Sequence, residues 1–554
     1  MYFETYKAVE DALKKVTGED DVLLGDGGEH ADLASTVAFA LAKKRKENPA
    51  KIAADLKAEL DMELASKGVS IETKGPYINF VFGGEYLKGI LKEALKPGYG
   101  QLPAKNVRVC LEHTSANPNG PLHVGHIRNS VIGDTLARVY RKAGYNTDVH
   151  YYVNDMGRQI AIVSWGFDNL GIARKEGEKG DRYVADVYVE ANVRLNADPS
   201  IKEEIDRRMA LIEQGDAEMV KKFREAVILC LDGIKATLKE MNAPHNRFMF
   251  ESDFVRNKSM INVLKRIEAL PQAKQDGTLS IDLSEFGFEK EYVLRRSDGT
   301  SVYAARDLAY HEWKGANYDR AIDILGADHK LIGRQLQATL KLLGDVPPEI
   351  VFFEFVSLPE GSMSTRAGKF ISADDLIDEV RKRAYEEVNL RRPELSEEEK
   401  RSIAESVAIG AVRYDIIRVS QEKSTVFDWK EALDFEKQSA PYIQYAHARA
   451  CSILEKAGDF KEVFAPETEQ EIALVKKIGM FPKVIDEISR DLRPHVLAIY
   501  ARELADLFNS FYRYNPVIKA EGEVRDSRLT IVKAAGNTLR EALTTLGIDA
   551  IKSM

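Results

Sequence analysis

The sequence predicts an α/β protein built around a doubly wound parallel sheet that carries a helical insertion, with a small α+β module before it and an all-α bundle after it. Three observations carry that expectation. First, VRVCLEHTS at 107–115 is a short apolar run that turns through ANPNGP, enters an amphipathic stretch at about 124–143, and re-emerges as TDVHYYV at 147–153, the order of a βαβ unit. Second, apolar residues recur at helical spacing in the first 65 positions and a strand-rich pair follows them. Third, everything beyond about Asp374 has helical spacing, with no Gly/Ser-rich linker and no internal repeat.

In chain order, Val9, Leu13 and Val16, then Leu33, Val37 and Leu41, then Ile52, Leu56 and Leu60 predict three amphipathic helices. VSIETKGPYINFVF at 69–82 reads as a hairpin around Gly75-Pro76, and KPGYGQLPAK at 96–105 as the linker that closes a first domain of residues 1–104. The βαβ unit opens a Rossmann-like domain at 105–373. Its stretch at about 170–285 is densely charged at helical spacing and reads as the insertion, after which the sheet is expected to resume at YVLRRSDG, RAIDILGAD and PEIVFFEFVSL. A helical connector is expected at 374–440 and a helical domain at 441–554.

The 554 residues hold 79 Lys plus Arg against 88 Asp plus Glu, a net charge of −9, which excludes a chain coated in basic charge for nucleic acid. Residues 441–554 hold 16 of each sign, so all the excess acid lies in residues 1–440. A hydrophobic fraction of 44% with 30% charged residues is that of a globular chain. Cys110, Cys230 and Cys451 lie far apart without C-x-x-C spacing, so neither a disulfide framework nor a thiolate metal site is suggested. The first ten residues carry carboxylates rather than an apolar signal, and no run of about 18 apolar residues occurs. A cytoplasmic protein with no membrane partner is expected.

His123-Val124-Gly125-His126 stands where the turn becomes a helix. Its histidines are three apart, on one face of a first turn whose free N–H groups and dipole favour anions. Gly125 lets a ligand approach the backbone, and Pro118 and Pro121 stiffen the turn. The same spacing also suits a pair of satisfied structural histidines. A metal site is the weaker reading, because there is no H-E-x-x-H and position 124 offers no base. Asp328 and His329 follow a predicted strand, where ligands bind in open α/β sheets.

The surroundings of the histidines favour function. EHTSANPNGPLHVGHIRNSVIGD closely resembles the HIGH signature of class I aminoacyl-tRNA synthetases, in the extended form of the arginyl-tRNA synthetases. GPYINF, YVNDMGRQI, YAARDLAYH, ILGADH, MSTRAGK and LADLFNSFYRYNPV match that family in order, from about 75 to 516. The resemblance implies a HIGH-type catalytic core that activates L-arginine with ATP to arginyl-adenylate, then transfers it to the terminal adenosine of tRNA(Arg). It also implies that tRNA must be bound before activation. Mg²⁺ is expected to accompany ATP as substrate, with no structural metal, and a monomer is expected.

In-line attack on the α-phosphate piles negative charge onto phosphorus, so catalysis rests on positioning and on aimed donors. The signature assigns that role to His123 and His126, and nucleotide contacts to Pro118, Gly120, Gly125, Asp328, Met363 and Ser364. The family's arginine pocket maps to Glu112, Ser115, Asn117, Tyr303, Asp307 and His329. Glu112 and Asp307 would grip the guanidinium, and Tyr303 would wall it. Ser115 and Asn117 would fix the amino-acid end, and His329 stands where other members often carry Gln. A site of charged hydrogen bonds rejects neutral isosteres by about 10⁴ or more, so no editing domain is needed.

The second class I signature departs from the family pattern. Ser362-Met363-Ser364-Thr365-Arg366 lacks both signature lysines, and Gly120 stands where a compensating lysine occurs in some members. Arg366 and Lys369 are the cations expected to contact phosphates instead. The C-terminal helices resemble the family's anticodon-binding bundle, in which Tyr442, Phe508 and Tyr512 are the candidates to stack on unpaired bases, although most aromatics at such spacing belong to a core. Two rivals stand beside this reading: a catalytically inactive, synthetase-like tRNA-binding paralogue, and another nucleotidyl-transferring enzyme of the HIGH superfamily, which would lack the long bundle.

Overall fold

The computed structural model describes residues 1–28, 31–297, 302–359, 371–436 and 438–554. At its centre lies an all-parallel sheet of five strands in the order Glu349–Phe353, Arg320–Gly326, Arg108–Glu112, Asn146–Val153, Arg247–Phe250. The chain winds outward one way from Arg108–Glu112 and then resumes on its other side at Arg320–Gly326. The carboxyl ends of these two strands therefore flank the crevice where doubly wound sheets bind ligands. Val109, Cys110 and Leu111 are wholly buried, as a strand covered on both faces requires. The crossover helix Val124–Lys142 seals one face through Ile127, Val131, Leu136 and Val139.

Two strand assignments differ from the sequence reading. Tyr292–Arg295, expected in the parallel sheet, pairs antiparallel with Thr278–Ile281, which pairs in turn with Ala273–Asp276 in a separate three-stranded sheet. The fifth parallel strand is Arg247–Phe250, inside the stretch read as helical. It has four residues, none fully buried, and follows the 24-residue helix Ala217–Glu240. Its apolar run, Phe248–Phe250, is three residues long, too short to separate from the helical spacing around it. The rest of the insertion's first half is helical, with Gly180–Ala197 and Ser200–Gln214 preceding that long helix.

In the N-terminal module the helices Tyr2–Thr17, Val37–Arg45 and Pro49–Leu64 accompany a four-stranded antiparallel sheet. The predicted hairpin is Val69–Lys74 with Tyr77–Phe82, and Gly75 turns it at φ 61°. Leu33, read as part of a helical face, lies in the three-residue strand Leu33–Ser35, which pairs with Leu24–Asp26. The C-terminal helices Ala440–Ala457, Glu469–Gly479, Phe481–Asp491, His495–Tyr514 and Gly522–Thr545 share one continuous apolar core with the N-terminal module and the central sheet.

Two fully buried arginines hold the crossover helix to distant chain. Arg128 donates to four carbonyls, those of Glu354, Phe355, Ser420 and Lys423, at 2.8–3.1 Å. Arg413 pairs with Asp134 at 2.6 Å and donates to the carbonyls of Leu546 at 2.9 Å and Met241 at 2.7 Å. Gly547 is obligatory there: it has φ 73°, and a Cβ would lie 2.1 Å from the Arg413 guanidinium. Removing one partner of a buried pair costs about 3–5 kcal/mol. Arg413→Leu should therefore lower the unfolding free energy read from urea denaturation by an amount in that range, and the urea midpoint with it. An unchanged midpoint would show that this arginine does not tie the C-terminal helices to the core.

Candidate active site

The central strand ends at Glu112 and the backbone then enters the left-handed region twice, at Thr114 (φ 69°) and Ser115 (φ 40°). Two such residues in succession are costly and persist only when their surroundings hold them. The Thr114 amide donates to Asn129 Oδ1 at 2.9 Å, and its hydroxyl lies 2.7 Å from that of Ser130, both on the crossover helix. The turn aims Ser115 Oγ back at Glu112 Oε1, 2.9 Å away, and Ser115 Oγ accepts the Tyr152 amide at 3.0 Å. Asn117 is exposed and accepts from the Asn154 amide group at 3.3 Å, while Pro118 is buried.

The helix Tyr303–Asn317 lies over this strand end. Its Lys314 ammonium contacts Glu112 Oε2 and lies 2.7 Å from Asp323 Oδ1. His311 donates to Asp323 Oδ2 at 2.7 Å and lies 3.1 Å from Asp307 Oδ1. Burial and Lys314 oppose a proton on His311, but Asp307 and Asp323 outweigh them and push it up to about 10. Burial likewise opposes ionisation of Asp323, yet Lys314 and His311 hold it well below the usual carboxylate range. Burial pushes the Glu112 carboxyl up, and Lys314 is the main opposing influence. Among the described residues Glu112, His311 and Asp323 are the one trio spaced to ligate a metal. The Lys314 ammonium contacts all three.

Tyr303 is exposed at the start of its helix, with its hydroxyl 3.2 Å from where a Cβ would stand on Gly157. Asp307, one turn deeper, is partly exposed. Asp328 and His329 are exposed beyond the strand Arg320–Gly326 and lie 3.5 Å apart. Ser115, Asn117, Glu112, Tyr303 and Asp307 are thus brought to one crevice. The sequence reading missed Lys314, His311 and Asp323. The signal for the first two was a His and a Lys at helical spacing from Asp307, on a helix otherwise apolar toward the sheet. Also missed was Glu251, buried and bonded to Arg306 at 3.0 Å, whose carboxyl burial pushes up to about 7.

The HVGH turn caps the crossover helix reciprocally. His123 Nδ1 accepts the Gly125 amide at 3.0 Å and His126 Nδ1 accepts the His123 amide at 3.2 Å. The rings stack with centroids 3.6 Å apart, and a Cβ on Gly125 would lie 2.9 Å from the His123 ring. An Nδ1 that accepts leaves the proton on Nε2. Burial lowers both pKa values, that of His126 to about 3. Both rings are therefore neutral Nε2–H donors at neutral pH. His123 also bridges antiparallel to Ser372, and Ala373 donates to the Leu122 carbonyl at 2.7 Å. Met363, Ser364, Arg366 and Lys369 lie outside the described residues. Gly120 is half-buried, and its carbonyl accepts from Cys230 Sγ at 3.6 Å.

One candidate for RNA contact is corrected. Phe508 is 0% exposed and packs in the core with Phe511, so it has no face to offer a base. Tyr442 is half-buried and donates to Asp506 at 2.8 Å. Tyr512 is exposed, and the Arg449 guanidinium sits between it and Tyr445, 5.6 and 4.6 Å from the two rings.

Burial holds His126 and His150 neutral to about 3 and His245 to about 4. Below the unfolded value near 6.5, the unfolded chain gains protons that the folded one refuses. Stability should therefore fall as pH drops from 6.5 toward 4, by roughly 1.4 kcal/mol per pH unit for each such histidine. His311 acts oppositely: its contribution is complete below 6.5 and is lost as pH rises through about 10. Thermal melts across pH 4–8 read the acid limb, and melts unchanged from pH 7 to 5 would show that the histidines are not held neutral.

Three family models cover the chain in succession: the arginyl tRNA synthetase N-terminal domain at residues 4–82, the class I (R) tRNA synthetase catalytic domain at 90–429, and the DALR anticodon binding domain at 443–554. An arginine–tRNA ligase from Methanoregula boonei is 64% identical over 558 aligned positions, covering 100% of both chains. One from Methanosarcina mazei is 54% identical, covering 97% of this chain and 96% of its own. The solved arginyl-tRNA synthetase of Thermus thermophilus superposes with a TM-score of 0.87 at 30% identity, covering 100% of this chain and 99% of that one. The strained turn, the HVGH cap and the acidic crevice thus stand in a chain that belongs, over its whole length, to the arginyl-tRNA synthetases of class I.

Proposed function

We propose that this chain ligates L-arginine to tRNA(Arg) with ATP, through arginyl-adenylate. The observation that carries the reading is the pairing of two groups around one strand end: an acid-rich cluster at the end of Arg108–Glu112, and neutral histidine donors at the start of the crossover helix that follows it. Arginine's carboxylate attacks the α-phosphate and pyrophosphate leaves; a hydroxyl of the tRNA's terminal adenosine then attacks the carbonyl and AMP leaves. Asp307 and Glu112 take the guanidinium, for which paired carboxylates are the natural acceptors. Tyr303 forms the outer wall, and Ser115, Asn117 and His329 lie toward the amino-acid end.

His123 and His126 donate Nε2–H groups to the charge that grows on the phosphates. Pro118, Gly120, Gly125 and Asp328 shape the nucleotide side, together with Met363 and Ser364, and Arg366 and Lys369 replace the missing lysines. Mg²⁺ enters with ATP. The N-terminal module and Tyr442 and Tyr512 of the C-terminal helices face the tRNA. The protein acts as a cytoplasmic monomer, with domains at 1–104, 105–373, 374–440 and 441–554.

The test is ATP–pyrophosphate exchange with each amino acid, with and without tRNA. Arginine-specific, tRNA-dependent exchange is expected; tight tRNA binding without exchange would favour an inactive tRNA-binding relative. One aimed donor is worth about 2.7–4 kcal/mol. His126→Ala should therefore slow exchange by 10²-fold or more, with arginine binding little changed, and an unaltered rate would remove His126 from the mechanism. Affinity for tRNA should fall with salt, but with the modest slope of a few local phosphate contacts. A slope as steep as that of a protein making about ten such contacts would contradict an acidic chain that binds through local basic strips.

A further inference from the structure

The helix Tyr303–Asn317 carries Tyr303, Asp307, His311 and Lys314 at spacings of four, four and three, on one stripe. The stripe runs from solvent to the sheet: Tyr303 is 52% exposed, and the side chains of Asp307, His311 and Lys314 are 33%, 5% and 0% exposed. Beneath its inner end, Glu112 and Asp323 stand directly opposite each other on adjacent parallel strands. Two carboxylates so placed repel, and the Lys314 ammonium contacts both. His311 spans Asp323 and Asp307, the outermost carboxylate. The cluster sets three carboxylates against Lys314 and His311, an acid-rich arrangement of the kind that accepts a guanidinium.

We propose that Lys314 and His311 are positioning residues of the arginine site, holding Glu112 and Asp307 from behind as the carboxylate pair presented to the guanidinium. The inference rests on the proposed function. Glu112 is fixed on two sides, by Ser115 through Oε1 and by Lys314 through Oε2. Without the ammonium, Glu112 would face Asp323 uncompensated, and its carboxyl would either move away or take up a proton, with the same loss of a guanidinium acceptor. Without His311, Asp307 would lose the group that joins it to the sheet. If instead the lysine only binds the helix to the sheet, its loss would weaken the fold and disturb every substrate alike.

The experiment measures tRNA-dependent exchange by the full chain, varying arginine and ATP separately, for Lys314→Met, Lys314→Arg and His311→Gln. Truncating one partner of a buried charge pair is costly, so Lys314→Met should raise the arginine KM by about 10²-fold and His311→Gln by about tenfold. The KM for ATP and the rate at saturating arginine should stay within about threefold, the pattern of a lost binding interaction. Lys314→Arg should recover part of the arginine affinity. An arginine KM within about threefold of the parent in the folded variants would overturn the proposal, as would equal shifts for both substrates. If Lys314→Met does not fold, His311→Gln decides by the same criteria. A parent chain that shows no arginine-dependent exchange would overturn the functional reading itself, whereas an active parent with unmoved variants would overturn only this inference.

Discussion

Everything at the switch point depends on one buried ammonium. The register of the parallel sheet sets Asp323, Glu112 and His150 side by side on three neighbouring strands, and two of the three are buried acids. The penalty of removing a carboxylate from water is several kcal/mol and is offset only by close, well-bonded partners. Lys314 supplies the shared partner, His311 the second for Asp323, and Ser115 the second for Glu112. His150 remains neutral between the hydroxyls of Tyr310 and Tyr318, at 2.9 and 3.0 Å. A lysine at this depth has no other way to remain ionised, so the helix that carries it, the two strands and the strained turn are held to one arrangement.

The two halves of the crevice meet opposite electrostatic demands by different means. On the nucleotide side, cationic histidines would attract phosphate but would titrate near neutrality. Capping geometry instead locks both rings as neutral donors, whose orientation does not depend on pH in the physiological range. On the proposed arginine side the ligand would bring a permanent charge, and the cluster sets three carboxylates against Lys314 and His311. Salt bridges from the insertion extend this order: Lys179 and Arg182 hold Asp374 and Asp375, at the start of the helix that follows Ser372, and Ser372 itself pairs with His123. The helical insertion, the HVGH turn and the start of the helix Ala373–Arg391 are therefore mechanically one unit.

The fold was legible where periodicity ran long enough to show. The N-terminal and C-terminal helices were read from spacing, and the βαβ unit and the 69–82 hairpin from apolar and β-branched runs with the turn residues between them. Arg247–Phe250 and Leu33–Ser35 were not, because four and three residues carry at most two periods of a strand pattern and barely one of a helical one. Tyr292–Arg295 looked like a strand and is one, but strand character does not say which sheet a strand joins. In the crevice, motif resemblance led to Glu112, Ser115, Asn117, Tyr303 and Asp307. It could not lead to Lys314, since a lysine near a helix end is ordinarily a solvated residue, and only the packed structure shows it at 0% exposure. Phe508 failed for the reverse reason: helical spacing marked it as aromatic surface or core alike, and packing placed it inside.

The acidic balance of the chain follows from where its charges are used. Four of its cations, Arg128, Arg413, Arg306 and Lys314, are almost wholly buried and spent on internal carbonyls and carboxylates. They count in the formal charge of −9 but present nothing to a partner. Buried acids, among them Glu112, Asp134, Glu251 and Asp323, offset them, so the surface keeps its acidic balance, and attraction to a polyanion has to come from particular places. Arg449, close to the exposed rings of Tyr445 and Tyr512 on the charge-balanced C-terminal helices, has the chemistry such a contact would use, since a guanidinium beside aromatic rings offers stacking and charge together. A chain with net acid binds a polyanion only where such groups align, so its charge balance argues against indiscriminate nucleic-acid binding and not against one chosen RNA partner.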